Sequence, residues 1–361
     1  MQTLKIKNLL ISGTSKDFRG SESAENVPIV FKRALIDGGF DFSSDSKPTH
    51  LINFNHNPRA FRKFLRSGGN SSKAVLIRLE PDVVFPSQYK RRVEKLYDLI
   101  LDPGQVLKSS SDEFIGWPYS YHLNPGTPKK EDPDLAQMIL NSNFARNFDF
   151  TSWKQRPIEV CMVLSNKVTP IGQSNYDIRR EFAKKSSPAI LKVFGSHWNE
   201  KLLDQLRYRT KVALIALKQG YFPNLVSVFS HLNSYYPCAI GEVENKHEIL
   251  KLSKYSLVIE NSNSTITEKI FDSLINGCIP VYFGPDLSVV PHFTRMVYNV
   301  NSGNSKDLEN LRNLDDMQIS SRLKYSKEFF EGHYFQTTWS HDAVFEKIAR
   351  KIIQFYKTGS Q

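Results

Sequence analysis

The amino-terminal part of the chain alternates short apolar runs with amphipathic stretches. Apolar runs bounded by Gly, Asn and Ser predict strands, and longer stretches with apolar residues three and four positions apart predict helices. The predicted order is a strand at 4–12, helix at 27–35, strand at 50–53, helix at 57–65, and strands at 73–79 and 96–101. Such alternation is typical of a parallel sheet with helices on its faces.

A second series of the same kind starts after residue 155. It comprises strands at 158–164, 189–194, 256–259 and 279–283, and helices at 177–185, 248–255 and 267–276. A proline-rich, charged loop at 122–136 and an aromatic-rich stretch at 141–156 separate the two series. We therefore predict an α/β protein of two domains, residues 1–155 and 156–335, with a cleft between them, because ligand sites are common at domain interfaces.

The last predicted element is a helix within residues 336–361. Four apolar residues repeat on one face and four basic residues are distributed around it: Val344, Ile348, Ile352 and Phe355, and Lys347, Arg350, Lys351 and Lys357. Two interpretations follow. The helix packs its apolar face on the body of the protein, or it touches an anionic membrane.

The composition changes this picture in two respects. The formal net charge of +11 favours anionic partners, which include nucleotides, nucleic acid and acidic membranes, and charge alone does not choose among them. Cys161, Cys238 and Cys278 lie in or beside apolar runs and fit no metal or disulfide pattern, so we expect buried thiols in a reducing compartment.

The expected location follows from the absence of an apolar run of about 18 residues and of a signal-like start. We expect a cytoplasmic protein of bacterial type with peripheral membrane contact through its basic surface. The Golgi lumen is the alternative if the chain is a piece of a longer one.

A polar turn inside the segment 255–285 carries the strongest functional signal. The segment is predicted as strand, polar turn, helix, glycine and strand, and ligands bind where parallel strands end beside helix N-termini. Thr265 and Glu268 have capping-box spacing, which explains them without a ligand. Asn261 and Lys269 are not explained in this way. A lysine in the first helical turn opposes the helix dipole unless an anion such as a diphosphate binds there.

Several motifs in this region resemble those of one enzyme family. Residues 260–262, 267–270 and 277–284 resemble the donor-site signature of the fucosyltransferases of glycosyltransferase family 10, the α-1,3/1,4-fucosyltransferases. Weaker similarity extends to 241–246, 193–198 and 178–182. The resemblance implies a GT-B fold, in which two facing Rossmann-like domains hold the active site in the cleft between them. GDP-fucose would bind the C-terminal domain, and a glycan acceptor would bind the N-terminal domain.

The resemblance also implies roles for individual donor-side residues. Lys269 would pair with the diphosphate, and Arg179 would supply a second cation there, with Arg180 as the competing candidate. Glu268 would accept hydrogen bonds from the ribose, and Asn261 with Glu260 would orient the fucose. The full donor set is Asn166, Arg179, Arg180, Glu260, Asn261, Thr267, Glu268 and Lys269. Thr265 stands where many members carry an aromatic residue.

On the acceptor side, Glu80 follows a strong strand and precedes a proline, which places it to face a cleft. The family has a glutamate base at the corresponding strand end, with Asp82 and Glu94 as nearby alternatives here. Three aromatic residues suit stacking on a sugar, or else pack under the proline-rich loop: Trp117, Tyr119 and Tyr121.

We therefore expect an inverting transfer of L-fucose from GDP-fucose to a hydroxyl of a glycan. No clustered DxD or His/Cys set indicates a protein-bound metal, and no tightly bound cofactor is expected. His56, His122 and His292 are scattered, which is typical of packing or loop histidines. One alternative is a GT-B enzyme with another nucleotide-sugar donor. The other is a non-enzymatic, basic nucleic-acid-binding protein, although no helix-turn-helix, RNP or zinc signature supports it.

Overall fold

The computed structural model describes residues 9–13, 29–40, 48–70, 73–106, 114–118, 142–171, 174–300 and 303–358. The chain forms two compact units, and each is described by itself. Unit 1 comprises Met1–Pro118 and Thr337–Gln361, and unit 2 comprises Tyr119–Gln336.

Strands and helices alternate along most of the described chain. The strands are β1 (Leu9–Gly13), β2 (His50–Phe54), β3 (Ala74–Ile77), β4 (Leu99–Leu101), β5 (Ile158–Val163), β6 (Leu191–Phe194), β7 (Ala239–Gly241), β8 (Ser253–Ile259), β9 (Ile279–Phe283) and β10 (Tyr298–Asn299). The helices are α1 (Ile29–Asp37), α2 (Pro58–Arg66), α3 (Arg91–Glu94), α4 (Ser142–Arg146), α5 (Phe150–Lys154), α6 (Tyr176–Lys185), α7 (Leu202–Lys218), α8 (Leu225–Phe229), α9 (Lys246–Lys251), α10 (Glu268–Ile275), α11 (Pro291–Thr294), α12 (Lys306–Glu309), α13 (Asp316–Glu331), α14 (His333–Thr338) and α15 (His341–Thr358). Short 3-10 helices occupy Pro86–Tyr89, Leu287–Val289 and Asn310–Asn313.

Unit 1 has a four-stranded parallel sheet in the order β1-β2-β3-β4. Every residue of β2 and β3 is buried, because both faces of the sheet are covered. Ile52 and Phe54 point to a core shared with α1 and α15. Leu51 and Leu76 point to the opposite core, which includes Phe64 of α2.

Unit 2 has a six-stranded parallel sheet in the order β10-β9-β8-β5-β6-β7. The chain enters at β5, runs outward to β7, and then returns to β8 on the other side of β5. The connections after β5 and β8 therefore diverge, and this edge is the topological switch point, where open α/β sheets bind ligands. The α/β class with two Rossmann-like, parallel-stranded units is confirmed.

The glycine that follows α10 is required by the fold. Gly277 has φ of +68°, and a Cβ there would lie 1.8 Å from the carbonyl oxygen of Asn147. Only glycine fits this close approach, which lets the chain turn from α10 into β9.

The structure divides the chain earlier than the predicted boundary at residue 155. Helices α4 and α5 belong to unit 2. Trp153 of α5 donates its indole N–H to the carbonyl of Lys254 at 2.9 Å and packs edge-on against Tyr255 of β8. These contacts hold the stretch 142–154 against the unit 2 sheet.

The C-terminal helix α15 packs on unit 1, as one of the two interpretations predicted. Val344, Ile348 and Ile352 are buried in the core that contains Phe31 of α1. The apolar face that the membrane interpretation requires is therefore already covered by the protein itself.

Two further elements differ from the prediction. The helix predicted at 248–255 ends at Lys251, because Ser253 and Tyr255 pair with β5 as part of strand β8. Helix α7 is not predicted from the sequence, because its apolar residues are spread around the helix rather than gathered on one face.

Candidate active site

The candidate site lies at the carboxyl ends of β5, β6 and β8 in unit 2. Loops that follow these strands and the N-terminal turns of α6 and α10 meet there. Hydrogen bonds join residues that are distant in sequence. One example is the backbone N–H of Asn175, which donates to the backbone carbonyl of Asn261 at 3.1 Å.

Glu260, the first residue after β8, organises the turn from within. Its side chain is fully buried. One carboxylate oxygen accepts a hydrogen bond from the Thr267 backbone N–H at 2.8 Å. The other accepts from the Thr267 hydroxyl at 2.7 Å and from the Lys269 ammonium at 3.1 Å. The Glu260 carboxylate has no exposed surface and holds Thr267 and Lys269 in place. Its predicted role in orienting the sugar together with Asn261 stays a prediction.

A glycine keeps this arrangement compact. A Cβ on Gly284 would lie 2.7 Å from the Tyr282 hydroxyl and 2.9 Å from Cγ of Glu260. Burial, together with the charge of Glu260, holds the pKa of Tyr282 well above its ordinary value. The Tyr282 hydroxyl is a buried polar group without a hydrogen-bond partner among the described residues.

The N-terminus of α10 has no side-chain cap. Thr267 is its N-cap residue, but its hydroxyl is engaged with Glu260 and accepts a hydrogen bond from Lys269 at 2.6 Å. Thr265 is not the cap that the spacing predicts, because the helix starts later and the Thr265 hydroxyl lies 3.2 Å from that of Ser264. The N-cap hydroxyl thus caps none of the first N–H groups of α10, and the Glu268 carboxylate interacts with its own backbone N–H. A helix N-terminus without an N-cap side chain suits an anion.

Lys269 and Glu268 carry opposite charges at this helix end. The Lys269 side chain is 14% exposed, and the carboxylates of Glu260 and Glu268 outweigh burial and raise its pKa. Burial acts to raise the pKa of Glu268, but Lys269 and Lys246 outweigh it and lower that pKa to about 2. Both groups are therefore ionised at neutral pH, and both reach the surface.

Arg179 brings a second cation to the site from α6. Its Nη2 donates to the carbonyl of Ile259 at 2.9 Å and to Oδ1 of Asn261 at 2.7 Å. Its guanidinium lies over the ring of Tyr176 at 4.7 Å. Among the described residues, no carboxylate forms an ion pair with Arg179, and its Nε has no hydrogen-bond partner. Burial lowers its pKa to about 10.

Arg180, the competing candidate, is already saturated with protein partners. It donates to Oδ1 of Asn166 at 2.9 Å, to Oδ1 of Asp177 at 2.6 Å, and to the carbonyl of Lys167. Arg180 and Asn166 thus tie α6 to the loop after β5. Both arginines are almost fully buried, and they differ in that Arg179 keeps an unpartnered Nε, whereas Arg180 donates to three protein groups.

Sequence reasoning missed several polar residues of this edge. Asn175 stands at the N-cap position of α6, but its side chain donates to Oδ1 of Asn263 at 2.8 Å. The hydroxyl of Ser196 donates to that of Ser165 at 2.8 Å and joins the loops after β6 and β5. An asparagine just before a predicted helix is a signal that could have identified Asn175.

In unit 1, Glu80 follows the carboxyl end of β3. Its carbonyl accepts hydrogen bonds from the Gln88 amide at 2.9 Å and the Tyr89 hydroxyl at 3.0 Å. The preceding N–H, that of Leu79, donates to Oδ1 of Asn55 at 2.9 Å. Buried side chains thus fix the backbone that carries Glu80.

The two alternative bases have different surroundings. Glu94 is paired with buried Arg78 at 3.0 Å, which also binds Asp102. Asp82 accepts a hydrogen bond from the Val83 N–H at 2.9 Å, and burial raises its pKa. Asp82 therefore remains a candidate for the general base, whereas the Glu94 carboxylate is already engaged in an ion pair with Arg78.

The other predicted residues have no shared arrangement in the described structure. Trp117 is half-buried in unit 1, and Tyr119 and Tyr121 lie outside the described residues. His56 is buried, with Nδ1 at 2.8 Å from the Tyr97 hydroxyl, and His292 stacks on Tyr334. His122 also lies outside the described residues.

Within the described ranges, His, Cys, Asp and Glu side chains form no group of three that could hold a metal ion. In this part of the chain, no helix combines the length and the apolar character needed to cross a bilayer.

The sequence of the chain is similar to that of a curated plant protein. A fucosyltransferase-like protein of Arabidopsis thaliana is 27% identical over 167 residues, which make up 43% of this chain and 30% of that protein. The match therefore spans about a third of the relative's length. No family model matches the chain. The resemblance to fucosyltransferases is confirmed at the level of sequence.

Solved structures of glycosyltransferases resemble the fold more distantly. An α1,3-fucosyltransferase structure is 14% identical with a TM-score of 0.48, and covers 99% of this chain and 92% of that chain. An α1,3-fucosyltransferase structure with GDP-fucose is 14% identical with a TM-score of 0.45, and covers 99% of this chain and 92% of that chain. A DNA-modifying β-glucosyltransferase structure is 11% identical with a TM-score of 0.44, and covers 96% of this chain and 99% of that chain. Because these scores are below 0.5, no conclusion about this chain rests on them.

Proposed function

We propose that this chain is a glycosyltransferase that moves L-fucose from GDP-fucose to a hydroxyl group of a glycan. One observation carries the proposal. At the switch point of unit 2, the N-terminus of α10, whose N-cap hydroxyl is engaged with Glu260, lies beside Lys269. Arg179 lies nearby and has no carboxylate partner among the described residues. Cations and free N–H groups in this position match a diphosphate.

The donor residues divide into those that contact the ligand and those that hold them. Lys269 and Arg179 bind the diphosphate, and Glu268, which is 40% exposed, accepts hydrogen bonds from the ribose hydroxyls. Asn261 orients the sugar, and its side chain is itself fixed by Arg179 at 2.7 Å. Glu260 holds Thr267 and Lys269 in place.

The proposed reaction inverts the configuration at the anomeric carbon. The acceptor oxygen forms a bond to fucose C1 while the bond from C1 to the diphosphate oxygen breaks, and the acceptor proton passes to Glu80. GDP leaves with the bonding electrons, and Lys269, Arg179 and the α10 N-terminus stabilise the charge that develops on it. One carboxylate suffices because GDP needs no proton in order to leave.

A screen of nucleotide sugars against glycan acceptors, read out as released nucleotide diphosphate, tests the proposal. We expect GDP release that requires both GDP-fucose and an acceptor. Calorimetric titration that detected no binding of GDP or any other nucleoside diphosphate would remove the proposal. Salt-sensitive binding to generic DNA without turnover would instead favour the nucleic-acid alternative.

A different nucleotide sugar as the donor is the alternative function, and one observation favours it. Thr265, which stands where many fucosyltransferases carry an aromatic residue, is buried and pairs with Ser264. It offers no ring to cover the nucleotide sugar. Higher turnover with another nucleotide sugar in the same screen would keep the enzyme class and change the donor.

A further inference from the structure

Helix α7 of unit 2 buries polar and small residues and leaves several large apolar ones exposed. Gln205, Arg209, Ala213 and Ala216 are its buried residues. Leu203, Leu214 and Ile215, in contrast, are 68%, 52% and 44% exposed. A helix on the surface of a globular domain ordinarily has the opposite orientation, and contiguous exposed apolar surface marks an interaction site.

Hydrogen bonds on the inner side fix this orientation. The Arg209 guanidinium donates to the carbonyls of Val228 at 2.6 Å and Ser230 at 2.5 Å. Gln205 donates to the carbonyl of Glu200 at 2.7 Å and accepts from the Asn233 N–H at 3.0 Å. Rotating the helix to bury its exposed leucines would leave these polar groups unpaired, so the leucines stay exposed.

Leucines and cations alternate along the outer side, which we term the α7 face. A groove of ≈ 570 Å³ runs along it and is lined by Leu203, Leu206, Leu214 and Ile215 together with Arg207, Thr210, Lys211 and Lys218. Asp204 is the single acidic residue of α7, and it lies 3.3 Å from Arg207. The α7 face therefore combines exposed apolar side chains with positively charged ones.

The segment after α7 extends the apolar character without adding charge. Residues 219–241 include no Lys, Arg, Asp or Glu. Phe222 and Val226 within it are 91% and 81% exposed. Helix α8 of this segment packs against the inner side of α7 through Val228 and Ala213.

We propose that the α7 face docks the protein on an anionic membrane surface. Leucines and a phenylalanine enter the boundary between headgroups and acyl chains, and Arg207, Lys211 and Lys218 contact the headgroup phosphates. A second copy of the chain is the poorer occupant, because a symmetric contact would bring the same excess of positive charge together from both sides. The proposal is independent of the identity of the donor sugar.

Co-sedimentation of the full chain with vesicles tests this proposal. We expect binding to phosphatidylcholine vesicles that contain phosphatidylserine, weak binding to pure phosphatidylcholine, and loss of binding at high salt. Each cation near an anionic surface contributes about a fivefold change in affinity, so the double variant Lys211→Gln/Lys218→Gln should bind roughly 25-fold more weakly. Leu203→Gln/Leu214→Gln should weaken binding about tenfold or more.

The matched control is Lys324→Gln/Lys327→Gln, which removes the same charge from α13 in unit 2. If the control weakens binding as much as the α7 variant, net charge rather than the α7 face is responsible, and the proposal is lost. Failure of the wild type to bind phosphatidylserine vesicles at low salt would overturn it as well. So would a dimer in sedimentation equilibrium that Leu203→Gln/Leu214→Gln dissociates, because the face would then be covered by a second copy.

Discussion

At the scale of single residues, the proposed donor site depends on one carboxylate that has no exposed surface. Glu260 is fully buried and accepts three hydrogen bonds, two of them from Thr267. Burying a charge is unfavourable unless it is paired and hydrogen-bonded, and Lys269 with Thr267 supplies both conditions. As a result, Lys269 pairs with Glu260 in the folded protein and, in the proposed function, also binds the diphosphate.

We predict that Lys269→Gln weakens GDP binding by about 10- to 100-fold, because a charge-assisted hydrogen bond to phosphate contributes about 1.5–3 kcal/mol. Titration calorimetry measures the change. The matched control is Lys254→Gln, which breaks a 2.9 Å ion pair with Glu159 near the start of β8, away from its carboxyl end. Equal affinities for GDP in the two variants would show that Lys269 does not contact the diphosphate.

The role of Glu80 is separable from donor binding. Glu80→Gln should lower kcat by about 10²- to 10⁴-fold, since it removes the general base, and should leave the affinity for GDP unchanged. Steady-state kinetics and GDP titration together check this. Asp82→Asn is the companion variant. Full activity in Glu80→Gln with loss of activity in Asp82→Asn would transfer the base to Asp82.

At the scale of elements, α10 shows how an N-terminus is left open for a ligand. Its N-cap hydroxyl is drawn away by Glu260, while Glu268 in its first turn interacts with the dipole favourably. The sequence indicated this helix and the polar turn before it. It could not indicate that Thr265 is not the cap, because the hydrogen bonds that engage Thr267 come from Glu260, which only the folded turn brings against it.

The charge of Glu268 makes a testable contribution to stability. Its pKa in the folded protein is lowered from 4.5 to about 2, so the folded state favours the ionised form. The contribution is therefore complete above pH 4.5 and is lost as the pH falls toward about 2. Denaturant unfolding at several pH values should show the difference between wild type and Glu268→Gln shrinking over this window. A difference that is constant from pH 7 to pH 2.5 would contradict it.

Elements were predicted well where the hydrophobic pattern follows the burial. Strands β3 and β9 are continuous apolar runs, and β5 is interrupted by Glu159 alone, because both faces of their sheets are covered. Helix α7 could not be placed from its pattern, because its buried side is polar or small and its leucines face solvent. Asn175 escaped notice since its partner, Asn263, is distant in sequence.

At the scale of the whole molecule, unit 1 combines the two ends of the described chain. Helix α15 covers one face of a sheet whose strands lie within residues 9–101, and Ile348 has no exposed surface. The division into two α/β halves was predictable from the alternation of elements. The return of the last helix to the first unit was not, because an amphipathic pattern shows that a face is covered without showing by what.

Ile348→Ala should destabilise unit 1 by about 2–5 kcal/mol, because it leaves a cavity in the core that α15 shares with α1. Hydrogen exchange resolves the effect by unit, and we expect faster exchange in β2 and β3. Arg350→Ala, at a position on the same helix that is 72% exposed, should stay within about 0.5 kcal/mol of wild type. Comparable destabilisation by both variants would mean that α15 does not act through its buried face.

The position of α15 also determines the order in which the two units can be completed during synthesis. Unit 2 is one continuous stretch, whereas unit 1 begins with the first strands and needs a helix that is translated after all of unit 2. Unit 1 thus starts to leave the ribosome before unit 2 and is completed after it. Until then the sheet face that α15 covers stays open, and a nascent chain in this state is a natural client for a chaperone.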